Sequence, residues 1–234
     1  MIKFLPFVLM ILYGVAVYQF SVWRTRTELT QRSRPLRDAR LQALCDRLAR
    51  ALDLPQVEVH VYDIEPVNGL AAPDGRIFLT QGFLDRYRAD AVSAEELASV
   101  IAHELGHVAL GHTRRRMIDF SGQNAVRMAL AVVLNRFVPG LGALIASALV
   151  TLLAARMSRD DEYAADEWAA ALLIRAGIGT APQKALFRKL ERLTGARGGP
   201  PVWLASHPPT PARIAAIEAL ETRWGTALPP RGRL

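Results

Sequence analysis

The chain has 234 residues, 51% of them hydrophobic and 22% charged, with a formal net charge of +7. That balance excludes an intrinsically disordered chain, and the length fits one domain or one domain with an appendage. Residues 1–50 carry nine Lys/Arg against three Asp/Glu, so nearly all the excess charge lies there; a near-neutral remainder argues against nucleic acid as a partner.

The single cysteine, Cys45, excludes an intramolecular disulfide and a Cys-rich metal site. Between Lys3 and Arg24 the run Phe4 to Trp23 has no charge. As a helix it spans about 30 Å, the thickness of a bilayer's hydrocarbon core. A cleaved signal peptide is the competing reading, but the apolar run is long, Lys3 alone precedes it and no small-x-small site follows. Residues 4–23 are therefore expected to be a transmembrane anchor, with Tyr18 and Trp23 toward one interface. Arg24, Arg26, Arg32, Arg34, Arg37 and Arg40 follow it, and the positive-inside rule places the rest of the chain in the cytoplasm.

Leu41, Leu44, Leu48 and Leu52 recur at helical spacing, predicting an amphipathic helix over about 36–52 that Pro55 ends. Val57, Val59 and Val61 alternate with polar or aromatic residues as in a strand, and Arg76–Thr80 reads as another. Asn68-Gly69 and Pro73-Asp74-Gly75 are turn signals between them, so a small antiparallel sheet is expected. Ser93-Ala-Glu-Glu96 has capping-box spacing and opens a helix predicted to run to about Arg116. Ser158, Asp160 and Asp161 are expected to open another, ending near Gly177. Thr180-Ala-Pro-Gln183 starts a third through Leu193, and Thr210-Pro211 a last one to about Trp224. The fold class expected is α+β, mostly helical.

The capped helix contains His103-Glu104-Leu105-Gly106-His107. Positions four apart differ by about 40° in azimuth, so both imidazoles reach one ion from one face. Imidazole suits zinc, a catalytic zinc takes three protein ligands, and Glu104 stands where a carboxylate serves as general base. Position 113 is Thr, not the histidine a metzincin would need, and His112 lies about 180° round the helix from His103. The third ligand must come from elsewhere. Glu162, in Glu-Tyr-Ala-Ala-Asp166, fits well, with Asp160, Asp161 and Glu167 as alternatives.

HELGH with His112, then EYAAD, then Ser206-His207-Pro208-Pro209-Thr210-Pro211-Ala212-Arg213 resembles the HtpX-like zinc peptidases, relatives of the CAAX-prenyl proteases. Val67-Asn68-Gly69-Leu70-Ala71-Ala72-Pro73-Asp74-Gly75-Arg76-Ile77-Phe78 is similar to their turn-and-strand segment ahead of the metal helix, although that segment more often reads Asn-Ala. The resemblance covers about 40–220. It implies a gluzincin with one Zn2+ per chain held by His103, His107 and Glu162, with Asp166 behind the ligands. Glu104 would assist the attack of zinc-bound water on a peptide bond, and His207 and Arg213 would approach the site, either one able to stabilise the oxyanion and His207 alternatively able to cover the zinc in a resting state.

The implied partition is an anchor over 1–23, a basic juxtamembrane segment over 24–40, a zinc metallopeptidase domain over 41–224 and a tail over 225–234. The implied setting is the bacterial inner membrane, and the implied substrates are membrane or misfolded polypeptides. A non-catalytic membrane chaperone or adaptor with a structural zinc is the alternative. A second charge-free stretch, 137–155, cannot be a single crossing, since that would separate His103 and His107 from Glu162. A hydrophobic helix packed in the domain or resting on the membrane is expected there.

Overall fold

The computed structural model describes residues 5–72, 74–112, 127, 130–193 and 211–225, without the side chains of 5–11, 13, 14, 17, 152–156 and 190–193. The chain divides into two compact units, residues 1–31 with 111–161, and residues 32–110 with 162–234.

The second unit is built on a four-stranded sheet in the order β1-β2-β4-β3. Its strands are β1 (Ser33–Pro35), β2 (Val59–Tyr62), β3 (Gly69–Ala71) and β4 (Ile77–Thr80). The sheet is mixed rather than antiparallel. β1 runs antiparallel to β2 and β3 antiparallel to β4, but β2 and β4 are parallel, with Val59 opposite Ile77. Period-two alternation marks a strand without naming its neighbour, and here the connection 63–76 is long enough for a parallel crossover. Its last part folds back as the β3–β4 hairpin, closed by Ala72 N–H donating to Arg76 O at 2.9 Å and Gly75 N–H to Ala72 O at 3.0 Å. β1 falls in the stretch expected to be a juxtamembrane segment, because its pairing partner lies far along the chain.

Helices cover this sheet. α2 (Ala39–Ala51) begins where Asp38 accepts a hydrogen bond from Leu41 N–H at 2.9 Å, and buries Leu41, Leu44, Cys45 and Leu48. Burial pushes the Cys45 thiol up to about 12, so it behaves as a small apolar core group. A short helix the sequence pattern did not announce, α3 (Gln81–Arg88), starts directly from β4 with Thr80 as its cap. α4 (Ala94–Ala109) opens on the expected capping box but ends earlier than 116, where the chain turns at Gly111 with φ +71°. Residues 113–116 lie outside those described. α7 (Ala181–Leu193) and α8 (Pro211–Trp224) match the remaining expectations. Phe78, Phe83, Leu97, Ile101, Leu172 and Leu186 are among the fully buried side chains.

In the first unit α1 (Leu5–Gln31) covers the charge-free run, and residues 130–137 form α5. A turn at 138–141 follows, with Gly142 N–H donating to Asn135 Oδ1 at 3.0 Å. The helix after it, α6 (Gly142–Arg175), is continuous through 158 and into the second unit. The expected helix start at Ser158 is therefore corrected: no Pro or Gly interrupts 143–175, and a capping residue inside an unbroken helical run has no free end to cap. Val132, Phe137 and Leu144 are 74%, 75% and 68% exposed, so this stretch does not pack as an ordinary core helix. Among the described residues no helix is long and apolar enough to cross a membrane. Much of the 4–23 run falls on Phe4 and on side chains outside the described set.

Candidate metal centre

α4 is fixed at its start by reciprocal bonds. Glu96 N–H donates to Ser93 Oγ at 3.1 Å, and Ser93 N–H donates to Glu96 Oε2 at 2.7 Å. Lys189 of α7 donates to the same Glu96 oxygen at 2.8 Å, tying the two helices together. From Leu97 to His107 every residue of α4 is buried, so its central turns carry polar side chains into the interior.

His103 and His107, one turn apart, bring their Nε2 atoms within 3.1 Å. Glu162 of α6 reaches both: Oε2 lies 3.3 Å from His103 Nε2, and Oε1 lies 3.4 Å from His107 Nε2. A tetrahedral zinc with bonds of about 2.0–2.1 Å separates neighbouring donors by roughly 3.3–3.4 Å. The histidine nitrogens stand close to that spacing, Glu162 sets one oxygen against each of them, and the donor set of two imidazoles and a carboxylate is one zinc accepts. Each of the three residues is 2% exposed. Among the described residues these three form the only such cluster of His, Cys, Asp or Glu.

Asp166, one turn beyond Glu162, places Oδ1 3.0 Å from His103 Nδ1. A carboxylate there holds the hydrogen on Nδ1 and leaves the Nε2 lone pair facing the cluster. Arg213 of α8, 2% exposed, grips the far side of Asp166 with Nε donating to Oδ2 at 2.5 Å and Nη2 to Oδ1 at 2.8 Å. Its Nη2 also lies 3.4 Å from Glu162 Oε2, and its guanidinium covers the Phe187 ring at 4.6 Å. Arg213 thus directs Nε and Nη2 to carboxylates. Gln183 of α7 is buried beside this group, its Nε2 3.4 Å from Asp166 Oδ1.

The electrostatics favour positive charge at the cluster. Burial opposes an imidazolium at His103, but the bonds to Asp166 and Glu162 outweigh it and raise the group to about 9. Burial wins at His107, which falls to about 4. At Asp166 burial resists ionisation, yet Arg213 and His103 hold the carboxyl below its ordinary value. A cation placed among these groups therefore meets an Asp166 carboxylate already ionised.

Two close approaches make the geometry achievable. A Cβ on Gly106 would stand 3.0 Å from Ala165 O, so glycine between the two histidines lets α6 lie against α4. A Cβ on Gly69 would meet Val100 Cγ1 at 2.6 Å and stand 3.6 Å from Glu104 Oε1, which brings β3 against the metal helix beside Glu104. Glu104 itself is 2% exposed and adjoins His103 on α4.

The other candidates are placed elsewhere. His112 Nε2 lies 3.3 Å from Asp161 Oδ1, away from the three-donor cluster. Glu167 is exposed and pairs with Arg223 at 3.1 Å, and Asp160 is exposed. His207 lies outside the described residues. Sequence reasoning missed Gln183 and Phe187. The capping-type spacing Thr180-x-x-Gln183 gave Gln183 a purely local explanation, and only the packing of α7 turns it toward Asp166.

A family model described as Peptidase family M48 matches residues 35–221. The chain is 32% identical over 162 residues to "Metalloprotease LoiP" of Escherichia coli (strain K12), covering 68% of this chain and 61% of that protein. It is 26% identical to "Metalloendopeptidase OMA1, mitochondrial" of Homo sapiens over 76% of this chain and 36% of that one. A "Protease HtpX homolog" of Bordetella petrii (strain ATCC BAA-461 / DSM 12804 / CCUG 43448) is 27% identical, with 84% and 76% covered. The chain thus spans less than two thirds of the length of the first two relatives.

Proposed function

The chain belongs to peptidase family M48, and from that premise we propose that it is a zinc-dependent endopeptidase held at a membrane and acting on membrane or misfolded polypeptides. The observation that carries this reading is the count of donors: the cluster offers three among the described residues, with Glu104 buried beside it on the same helix. A structural zinc takes four protein ligands, whereas a catalytic one takes three and needs a neighbouring base.

His103, His107 and Glu162 would hold the ion, and Asp166 would orient His103. Zinc bound there supplies Lewis acidity, activating water and polarising a carbonyl. Glu104 takes the proton from the attacking water on its carboxylate and returns it to the leaving amine. Arg213 acts by positioning: its two bonds to Asp166 and its approach to Glu162 favour this over the oxyanion role the family resemblance also allowed. β3 is the sheet edge beside Glu104, so a substrate in extended form, added to β3, would pass the base.

The anchor reading of 4–23 rests on its length without charge and on the arginines after it. The exposed apolar side chains of α5 and α6 support further contact with lipid. The partition into anchor, basic segment over 24–40, peptidase domain over 41–224 and tail over 225–234 rests on the same argument, except that β1 and the start of α2 join the sheet unit from residue 32; a cytoplasmic peptidase domain at the inner membrane is part of the same reading.

Glu104→Gln in the purified full chain tests the mechanism. Cleavage of casein, or of the chain itself, should fall by about 10²–10⁴-fold while bound zinc is retained. Equal activity in mutant and wild type would sink the assignment. A wild type that holds zinc tightly and cleaves nothing would favour the chaperone alternative.

A further inference from the structure

A second cavity, of about 480 Å³, lies in the sheet unit and plays no part in the proposed peptidase reaction. Its size falls within the range of about 300–1,000 Å³ typical of small-ligand sites. The lining is part apolar and part cationic. Leu36 and Leu84 are buried, while Arg34, Arg37 and Arg88 line the cavity with exposed side chains.

The arginines come from two separate parts of the chain. Arg34 lies on β1 and Arg37 just before α2; Arg88 ends α3. Gln81, Leu84, Asp85 and Arg88 share one face of α3 by their spacing. Along it runs a connected set of bonds: Arg34 Nη2 donates to Gln81 Oε1 at 2.5 Å, Gln81 Nε2 donates to Asp85 Oδ1 at 2.6 Å, and Asp85 Oδ1 lies 3.5 Å from Arg88 Nη1. Arg34 is thereby held by a neutral amide, which orients the guanidinium without cancelling its charge.

The one acid in the lining, Asp38, is committed elsewhere. Its Oδ1 caps α2 through Leu41 N–H at 2.9 Å and lies 3.4 Å from the Tyr87 hydroxyl. The positive end of α2 opens at the same place and offsets that carboxylate. Three guanidiniums line the recess against the spoken-for carboxylate of Asp38, with Asp85 outside the lining 3.5 Å from Arg88; the excess positive charge suits an oxyanion, and guanidinium forks match phosphate geometry.

We propose that the recess between β1, the start of α2 and α3 binds a phosphate group, with Arg34, Arg37 and Arg88 as its ligands and Leu36 and Leu84 as its apolar lining. Two sources carry that chemistry: the headgroup of an anionic phospholipid, or a free phosphate compound. The first rests on the membrane reading above, since Arg34 and Arg37 follow shortly after the run 4–23. The second does not.

Calorimetric titration of the full chain in neutral detergent separates them. One arm uses short-chain phosphatidylglycerol, a second short-chain phosphatidylcholine, a third inorganic phosphate or glycerol 3-phosphate. Saturable binding of phosphatidylglycerol, absent with phosphatidylcholine, assigns a lipid headgroup. Saturable binding of the soluble phosphates alone assigns a free ligand. In either case Arg37→Gln and Arg88→Gln should each weaken binding by about fivefold. Arg50→Gln, an exposed change of equal charge on α2 outside the cavity, should leave it unaltered. Failure of every arm to saturate, or an equal loss in Arg50→Gln, overturns the site. Glu104→Gln should bind as the wild type does, so the outcome is independent of whether the chain cleaves peptides.

Discussion

The two units invert the usual distribution of side chains in opposite directions. Around the metal cluster, His103, Glu104, His107, Glu162, Asp166 and Arg213 are each only 2% exposed. In the other unit Val132, Phe137 and Leu144 stand more than two thirds exposed. Each inversion is costly alone, and each becomes favourable with the right surroundings: a cation among the buried carboxylates and imidazoles, lipid around the exposed apolar side chains. The contrast is between an interior whose charges are met by the chain's own side chains and an apolar exterior whose proposed partner is lipid.

The comparison is broken most severely by unbalancing the interior. Asp166→Asn removes the counter-charge of Arg213 and turns one of the two oxygens shared by Arg213 and His103 into an NH2 donor. Denaturant unfolding should register a loss of about 3–5 kcal/mol, and equilibrium dialysis a zinc affinity reduced by about 10–100-fold. The effect has a pH signature. Because the folded-state carboxyl is depressed below the free value of about 3.9, its contribution is complete above that value and is lost as pH falls toward the folded one. Wild type and Asp166→Asn should therefore converge in stability on acidification below about pH 4.

Stripping zinc from the wild type should cost about 4 kcal/mol relative to protein at a thousandfold excess over Kd, seen as a melting point lower by roughly 10 °C. An unchanged melting point would mean the cluster holds no ion that matters to the fold. Gly69→Ala should cost about 1–3 kcal/mol and lower kcat, because the new methyl meets Val100 Cγ1 beside Glu104. Adding Val100→Ala should recover part of both, and absence of rescue would remove the steric explanation. The smallest effect on stability is expected at the apolar exterior. Val132→Ser with Phe137→Ser should change unfolding by no more than about 0.5 kcal/mol while reducing retention on vesicles. Undiminished retention would argue against lipid as the partner of α5.

Local chemistry explains what could be read without coordinates. The capping box at Ser93 and Glu96, the i,i+4 pair His103 and His107, and the EYAAD spacing of Glu162 and Asp166 each depend on residues within about a turn or two of one another. Period-two alternation likewise announced β2, and the short run Arg76–Thr80 after a turn signal announced β4. Elements whose existence depends on a distant partner were less legible. β1 is three residues that become a strand by pairing with β2, and α3 follows β4 with no apolar period long enough to announce it.

The sequence by itself determined the donor types: two imidazoles on one helix face, a glutamate between them and a carboxylate pair farther along, because helical periodicity maps spacing directly onto direction. Tertiary structure decided which carboxylate takes which part. Asp160, Asp161, Glu162, Asp166 and Glu167 all lie within two turns, and only the packing of α6 on α4, allowed by Gly106, brings Glu162 to the histidine nitrogens. It also decided that Arg213, far along the chain, closes on Asp166, and that the sheet is mixed. Both are contacts between segments whose separation in sequence carries no information about their separation in space.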